Sequence, residues 1–174
     1  MKNICIYGLG AVGGLMAARL AAAGYPVKAI ARGQTLQAVS SHGLVLHDAQ
    51  GERRLNVEVA AEPQALGPMD LVILSVKTSG LPEIAQQIKP LIGPDTTVLS
   101  AMNGIPWWFL HGLQQAPSSL RLDSVDPDRA VSDAIAHERH CHAAIVFRTR
   151  ATTSLAGIQE YDADAPAAQD VEEL

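Results

Sequence analysis

The sequence predicts an α/β fold in which helices cover both faces of a doubly wound, mainly parallel sheet. Three observations favour it. A short apolar strand at the start of the chain runs directly into a glycine-rich turn and an alanine-rich helix. The near-continuous apolar run of residues 70–77 is typical of a parallel strand buried on both faces. Strand and helix signals then alternate along the chain, as in a parallel sheet with crossover helices.

The turn after the first strand, residues 3–7, carries the pattern G-x-G-x-x-G at Gly8, Gly10 and Gly13. In such a turn the first glycine permits the tight bend. The second lets the backbone approach a pyrophosphate, and the third lets the helix pack closely on the sheet. The free N–H groups at the helix start then favour phosphate. The pattern therefore predicts a Rossmann-type dinucleotide-binding unit.

Glycines separate the next elements. The first helix is predicted over residues 11–23, and Gly24 ends it where a left-handed residue is favoured. The second strand covers residues 27–31. A short helix over residues 35–41 follows it and stops at Gly43.

A hairpin and the buried strand come next. Residues 44–47 and 55–59 flank a polar turn, residues 48–52, and this arrangement predicts a β-hairpin. After the strand of residues 70–77, a proline at a favoured first-turn position opens a helix over residues 82–92.

The last predicted elements surround an aromatic segment. Residues 93–95 form a turn, residues 96–102 a strand and residues 103–106 a loop. A helix over residues 107–115 follows. Its first residues, Trp107-Trp108-Phe109, are interpreted as packing on the sheet, with a binding platform as the alternative.

Composition excludes several classes of function. The 174 residues carry a net charge of −5, which gives no general reason to bind nucleic acid. Two distant cysteines do not make a disulfide scaffold, and Cys5 is predicted as a core residue. No segment approaches the roughly 20 apolar residues that span a bilayer. Arg19 and the glycines argue against a signal peptide, so a cytoplasmic protein is expected.

Four polar or glycine positions fall at the carboxyl ends of predicted strands, where ligands bind in such sheets: Gly8, Arg32, Lys77 and Asn103. NAD-binding units carry an acidic residue about 20 residues past the glycines. Here Arg32 stands 19 residues after Gly13. An arginine can bind a 2′-phosphate, so the pattern favours NADP(H). Solvated surface roles for Arg32 and Lys77 are the alternatives.

With these residues assembled, the chain resembles the N-terminal domain of the ketopantoate reductase (2-dehydropantoate 2-reductase) family. The resemblance covers roughly residues 1–136. The matching pieces are, in order, Gly8-Leu9-Gly10-Ala11-Val12-Gly13-Gly14, Arg32, Ser75-Val76-Lys77-Thr78 and Met102-Asn103-Gly104-Ile105.

The resemblance implies an NADPH-dependent reduction of a 2-keto acid to a 2-hydroxy acid, on the route to pantothenate and coenzyme A. Arg32 is then expected to hold the 2′-phosphate, and Lys77 to contact the cofactor. Asn103 is expected where nicotinamide ribose and substrate meet. The pyrophosphate would lie on the turn formed by Gly8, Leu9, Gly10, Ala11, Val12 and Gly13.

The chain departs from the family pattern after residue 136. The resemblance implies that the family's proton-donating lysine lies in a helical C-terminal domain. No counterpart of that domain is expected in these 174 residues, whose last lysine is Lys89. No catalytic residue is therefore assigned. A frameshift or an early end near residue 139 is one explanation. The histidines and cysteine of residues 137–142 do not have a standard zinc spacing, so no metal site is predicted.

The sequence thus divides into a nucleotide-binding domain, residues 1–150, and an acidic tail, residues 151–174, expected to be disordered. Three functions stay open: an NADPH-dependent reductase, an NADP(H)-binding module without turnover, and one half of a site completed by a separate polypeptide. A homo-oligomer is also possible. The reductase is the interpretation by resemblance, with little or no catalysis expected of this chain alone.

Overall fold

The computed structural model describes residues 2–110, 120–135, 140–142, 150–153 and 159–162. Within these residues the strands form two sheets, one of six strands and one of four. None of the described helices is long and apolar enough to cross a membrane.

The six-stranded sheet is the centre of the fold, and every neighbouring pair of its strands is parallel. Its strands are β1 (Ile4–Tyr7), β2 (Val27–Ile30), β5 (Glu58–Ala60), β6 (Met69–Leu74), β7 (Ile92–Ser100) and β8 (His140–His142). They lie in the order β5-β2-β1-β6-β7-β8.

Helices lie on both faces of this sheet. They are α1 (Ala11–Ala22), α2 (Gly33–His42), α3 (Leu81–Gln87) and α4 (Ala130–Ala134). Short 3₁₀ turns cover Pro63–Ala65, Thr78–Gly80, Lys89–Leu91 and Pro127–Arg129. One core holds side chains of α1 and α2, and the other holds side chains of α3 and α4. The predicted doubly wound α/β fold is therefore confirmed.

Strand β1 shows how the sequence builds both cores. Successive side chains of a strand point to opposite faces. Ile4 and Ile6 accordingly belong to the core with α1, while Cys5 and Tyr7 belong to the core with α3. Cys5 has no exposed surface, and burial raises the pKa of its thiol to about 12, so the thiol stays protonated at neutral pH. Its predicted role as a core residue is confirmed.

The smaller sheet begins with the predicted hairpin. Strands β3 (Leu44–Asp48) and β4 (Gly51–Leu55) pair antiparallel, with Asp48 opposite Gly51. The turn therefore consists of residues 49–50 and is shorter than the predicted residues 48–52. The predicted second arm, residues 55–59, is wrong: β5 separates from β4 and pairs with β2 in the main sheet.

The expectation of a disordered tail from residue 151 is wrong where the structure describes it. Strands β9 (Arg150–Thr153) and β10 (Gln159–Asp162) pair antiparallel, and β10 lies parallel to β3. Backbone pairing with β3 makes part of this acidic segment a strand, which its composition did not indicate. Residues 154–158 and 163–174 of the predicted tail, and residues 137–139 of the histidine segment, lie outside the described residues.

The helix predicted over residues 82–92 is shorter than expected. It ends at Gln87, a 3₁₀ turn follows, and Ile92 already belongs to β7. The predicted turn at residues 93–95 is instead part of β7. There the register with β6 shifts, from Met69 opposite Ile92 to Leu71 opposite Thr97, so the strand absorbs the extra residues as an irregularity.

The helix predicted over residues 107–115 is wrong in its described part, because residues 107–110 form turns; residues 111–115 lie outside the described residues. Trp107 and Trp108 are both buried in the core beside α3 and α4. Their rings meet edge to face with centroids 4.2 Å apart. They are core residues rather than a binding platform.

Candidate functional site

The four predicted site positions follow four neighbouring strands of the main sheet. Gly8 follows β1, Arg32 lies just beyond β2, Lys77 beyond β6 and Asn103 beyond β7. Backbone bonds hold these carboxyl ends level: Gly8 N–H donates to Ile30 O at 3.0 Å. The sheet therefore brings these four positions to one edge, as the sequence predicted.

The glycine turn has the geometry that its three glycines predict. Gly8 has a φ of +100°, a backbone angle that residues other than glycine rarely adopt. A Cβ on Gly13 would lie 2.0 Å from the Gly8 carbonyl oxygen and 2.1 Å from Ser75 Oγ, so α1 packs on the strand ends only because Gly13 has no side chain. A Cβ on Gly10 would meet no atom within 4 Å. The turn thus has no space for a side chain at Gly13, whereas Gly10 borders open space.

The start of α1 favours an anion. Gly10 is the N-cap, no side chain of the described residues caps the helix, and its first turn contains no acidic residue. Leu9 is buried in the core, while Ala11 and Val12 are half-buried. Unpaired N–H groups and the positive end of the helix dipole favour phosphate at such a terminus. The open space at Gly10 and this terminus fit a dinucleotide pyrophosphate.

Ser75 fastens the end of β6 to the glycine turn. Its hydroxyl lies 2.7 Å from the Gly8 carbonyl oxygen and 3.2 Å from the Tyr7 carbonyl oxygen, and it donates to this pair of acceptors. The sequence carried Ser75 only as part of a matching motif. Its contact with the turn depends on β1 and β6 being neighbours, which no local pattern shows.

Replacing Ser75 with alanine is expected to lower the free energy of unfolding by about 1 kcal/mol, because the part-buried Gly8 carbonyl oxygen loses the hydroxyl that donates to it at 2.7 Å. The Tyr7 carbonyl oxygen keeps the backbone N–H of residue 75 as a donor at 3.1 Å. Urea denaturation followed by tryptophan fluorescence measures this. The matched control is Ser79→Ala, since Ser79 is exposed. Equal stability of the two variants would contradict the fastening role.

Arg32 does not stand free at the edge of the sheet. Its Nη1 donates to Glu83 Oε1 at 2.7 Å, and its Nη2 donates to Gln87 Oε1 at 3.2 Å. The Gln87 oxygen also lies 3.4 Å from the Tyr7 hydroxyl. The hydrogen bond to Glu83 raises the pKa of Arg32 above its usual value. Sequence reasoning missed Glu83 and Gln87, because their contact with Arg32 joins segments about fifty residues apart.

Lys77 and Asn103 complete the edge. Lys77 is exposed and forms no ion pair within the part of the chain that the structure describes. Asn103 is exposed in the bend after β7, next to Gly104 with a φ of +102°. Two large apolar side chains of the same segment, Ile105 and Phe109, are half exposed. This edge of the sheet thus carries the guanidinium of Arg32 and the amide of Asn103, and the segment of Asn103 also exposes apolar side chains.

The comparisons with known proteins agree with one another. The model of the family described as ketopantoate reductase PanE/ApbA matches residues 4–107. A 2-dehydropantoate 2-reductase of Mesorhizobium japonicum is 39% identical over 138 residues, which are 79% of this chain and 42% of that enzyme. One of Pyrococcus horikoshii is 34% identical over 104 residues, or 59% of this chain and 33% of that enzyme.

A solved structure gives the same result. The crystal structure of a putative ketopantoate reductase from Ralstonia solanacearum superimposes with a TM-score of 0.76 at 38% identity. The match covers 92% of this chain and 49% of that one. The chain therefore spans less than half the length of these relatives.

Proposed function

This chain belongs to the ketopantoate reductase family, and on that premise we propose that it binds NADP(H) for the reduction of a 2-keto acid, 2-dehydropantoate, to the 2-hydroxy acid pantoate in the cytoplasm. The observation that carries the proposal is the glycine turn. It is open at Gly10, it leads into an uncapped helix, and Arg32 lies at the end of the next strand. Family membership makes the nicotinamide nucleotide the ligand that this turn would hold.

Each residue of the edge has a distinct task in this proposal. The N–H groups at the start of α1 bind the pyrophosphate, with the ammonium of Lys77 as a further cation at the same edge. The guanidinium of Arg32 binds the 2′-phosphate that distinguishes NADP(H) from NAD(H). Asn103 orients the nicotinamide ribose and the substrate. When bound, NADPH supplies the hydride, while the protein fixes its distance and face toward the ketone.

Reduction of the ketone also needs a proton for the developing alkoxide, and we assign no residue of this chain to donate it. Ketone reduction needs a general acid. In this proposal Lys77 binds the cofactor, so it is not the general acid. The second candidate function is therefore an NADP(H)-binding module without turnover of its own. An assay of NADPH oxidation with 2-dehydropantoate, with the chain alone, separates the two candidates.

Replacing Arg32 with alanine is expected to weaken NADPH binding by about tenfold to a hundredfold, because charge-assisted hydrogen bonds to the 2′-phosphate are lost. NADH has no such phosphate, so its affinity is expected to stay within about twofold of the parent value. Both dissociation constants come from fluorescence titration of the purified chain.

The matched control is Lys28→Gln, which removes a cation from the same strand, β2. Lys28 Nζ pairs with Glu58 at 3.0 Å and stands before the carboxyl end of the strand, so NADPH affinity is expected to hold. A parent chain that binds both nucleotides equally, or an Arg32→Ala variant that keeps its preference for NADPH, would contradict the proposed role of Arg32.

A further inference from the structure

The contact between Arg32 and α3 has a consequence for nucleotide choice. Two donors of the guanidinium fork are already engaged: Nη1 by Glu83 and Nη2 by Gln87. Both acceptors stand four residues apart on α3, on the turn of helix that faces the end of β2. A phosphate that binds Arg32 with two parallel hydrogen bonds uses the same kind of fork geometry. A phosphate that binds Arg32 through both terminal nitrogens therefore competes with α3 for the position of the guanidinium, although three of its five N–H donors are not used by Glu83 and Gln87.

The charge of Glu83 opposes the ligand whichever way the arginine turns. If the guanidinium keeps its place, the phosphate arrives beside a carboxylate oxygen that lies 2.7 Å from Nη1. If the guanidinium swings toward the phosphate, it gives up that ion pair. Like-charge repulsion weakens binding in the first case, and the lost pair weakens it in the second. The side chains of Arg32 and Glu83 are 49% and 54% exposed, so the effect is expected to be moderate.

We propose that Glu83 is a specificity-determining residue that competes with the cofactor 2′-phosphate for Arg32 and so limits the preference for NADPH over NADH. This inference rests on the proposed function. Glu83 needs no contact with the nicotinamide ring or the substrate for this role. It acts on the adenosine end of the nucleotide, and it therefore changes binding rather than the chemistry of reduction.

The test is the variant Glu83→Gln, which keeps the size of the side chain and removes its charge. Titration with NADPH, NADH and adenosine 2′,5′-bisphosphate is expected to show about threefold to tenfold tighter binding of the two 2′-phosphorylated ligands. NADH affinity is expected to stay within about twofold. The control Glu58→Gln removes a carboxylate that pairs with Lys28 at 3.0 Å, and it is expected to change none of the three affinities.

A double variant identifies the partner of Glu83. In an Arg32→Ala background, Glu83→Gln is expected to give a smaller gain in affinity for 2′-phosphorylated ligands than in the parent. The competition for the guanidinium is absent there, and only the repulsion between Glu83 and the phosphate is relieved. Unchanged or weaker NADPH binding by Glu83→Gln would overturn the inference, as would an equal gain for NADH. A failed Glu83→Gln test leaves the proposed function standing if the parent prefers NADPH and Arg32→Ala removes that preference. A parent without any preference, whose Glu83→Gln variant also shows none, would overturn both the inference and the proposed role of Arg32.

Discussion

Alanine at position 13 is expected to lower the free energy of unfolding by about 3 kcal/mol and to abolish NADPH binding. Its Cβ would lie 2.0 Å from the backbone oxygen of Gly8 and 2.1 Å from Ser75 Oγ, so α1 must move away from the ends of β1 and β6. Overpacking of this kind typically costs 1 to about 3 kcal/mol. The better helix propensity of alanine returns less than about 1 kcal/mol.

Urea denaturation, followed by the fluorescence of buried Trp107 and Trp108, measures the change in stability. The movement of α1 also shifts the N–H groups that would hold the pyrophosphate, which is why binding is expected to fail together with stability. A Gly13→Ala chain as stable as the parent, with unchanged NADPH affinity, would show that the turn does not need this close packing.

Alanine at position 10 is expected to give the opposite combination: nearly normal stability and NADPH binding weakened by at least about tenfold. The φ and ψ of Gly10, −72° and −170°, are open to any residue, and a Cβ there meets no atom within 4 Å. The loss of stability should stay within about 1 kcal/mol, since alanine is a poorer N-cap than glycine. The new methyl group would occupy the space through which the backbone approaches the pyrophosphate.

The same chemical change three residues away is thus the control for each variant. Gly10→Ala tests the ligand space, and Gly13→Ala tests the packing of the turn. Equilibrium titration with NADPH and urea denaturation are applied to both. If Gly10→Ala bound NADPH as tightly as the parent, the nucleotide would not lie on this turn.

Much of the fold could be predicted because its signals are local. The apolar strand, the glycine turn and the helix ended by Gly24 are adjacent in sequence, and the structure has them as β1, the turn and α1. The position of Arg32 followed from the same reasoning, since the end of a strand is read from its apolar run. Parallel pairing then brought these ends to one edge.

What could not be predicted depends on contacts between distant segments. The pairing of β10 with β3 joins residue 159 to residue 44, and the acidic composition of the later segment indicated a disordered tail instead. The separation of β5 from the hairpin follows from its pairing with β2. The engagement of Arg32 by Glu83 belongs to the same kind of contact, because only the fold brings α3 beside the end of β2.

Whether the glycine turn of this chain holds NADP(H) can be measured by a fluorescence titration of the purified parent chain with NADPH, and with NADH as the comparison. We expect saturable binding of NADPH in the micromolar range, at least about tenfold tighter than that of NADH. No saturable binding of either nucleotide, by a chain whose urea transition shows that it is folded, would contradict it.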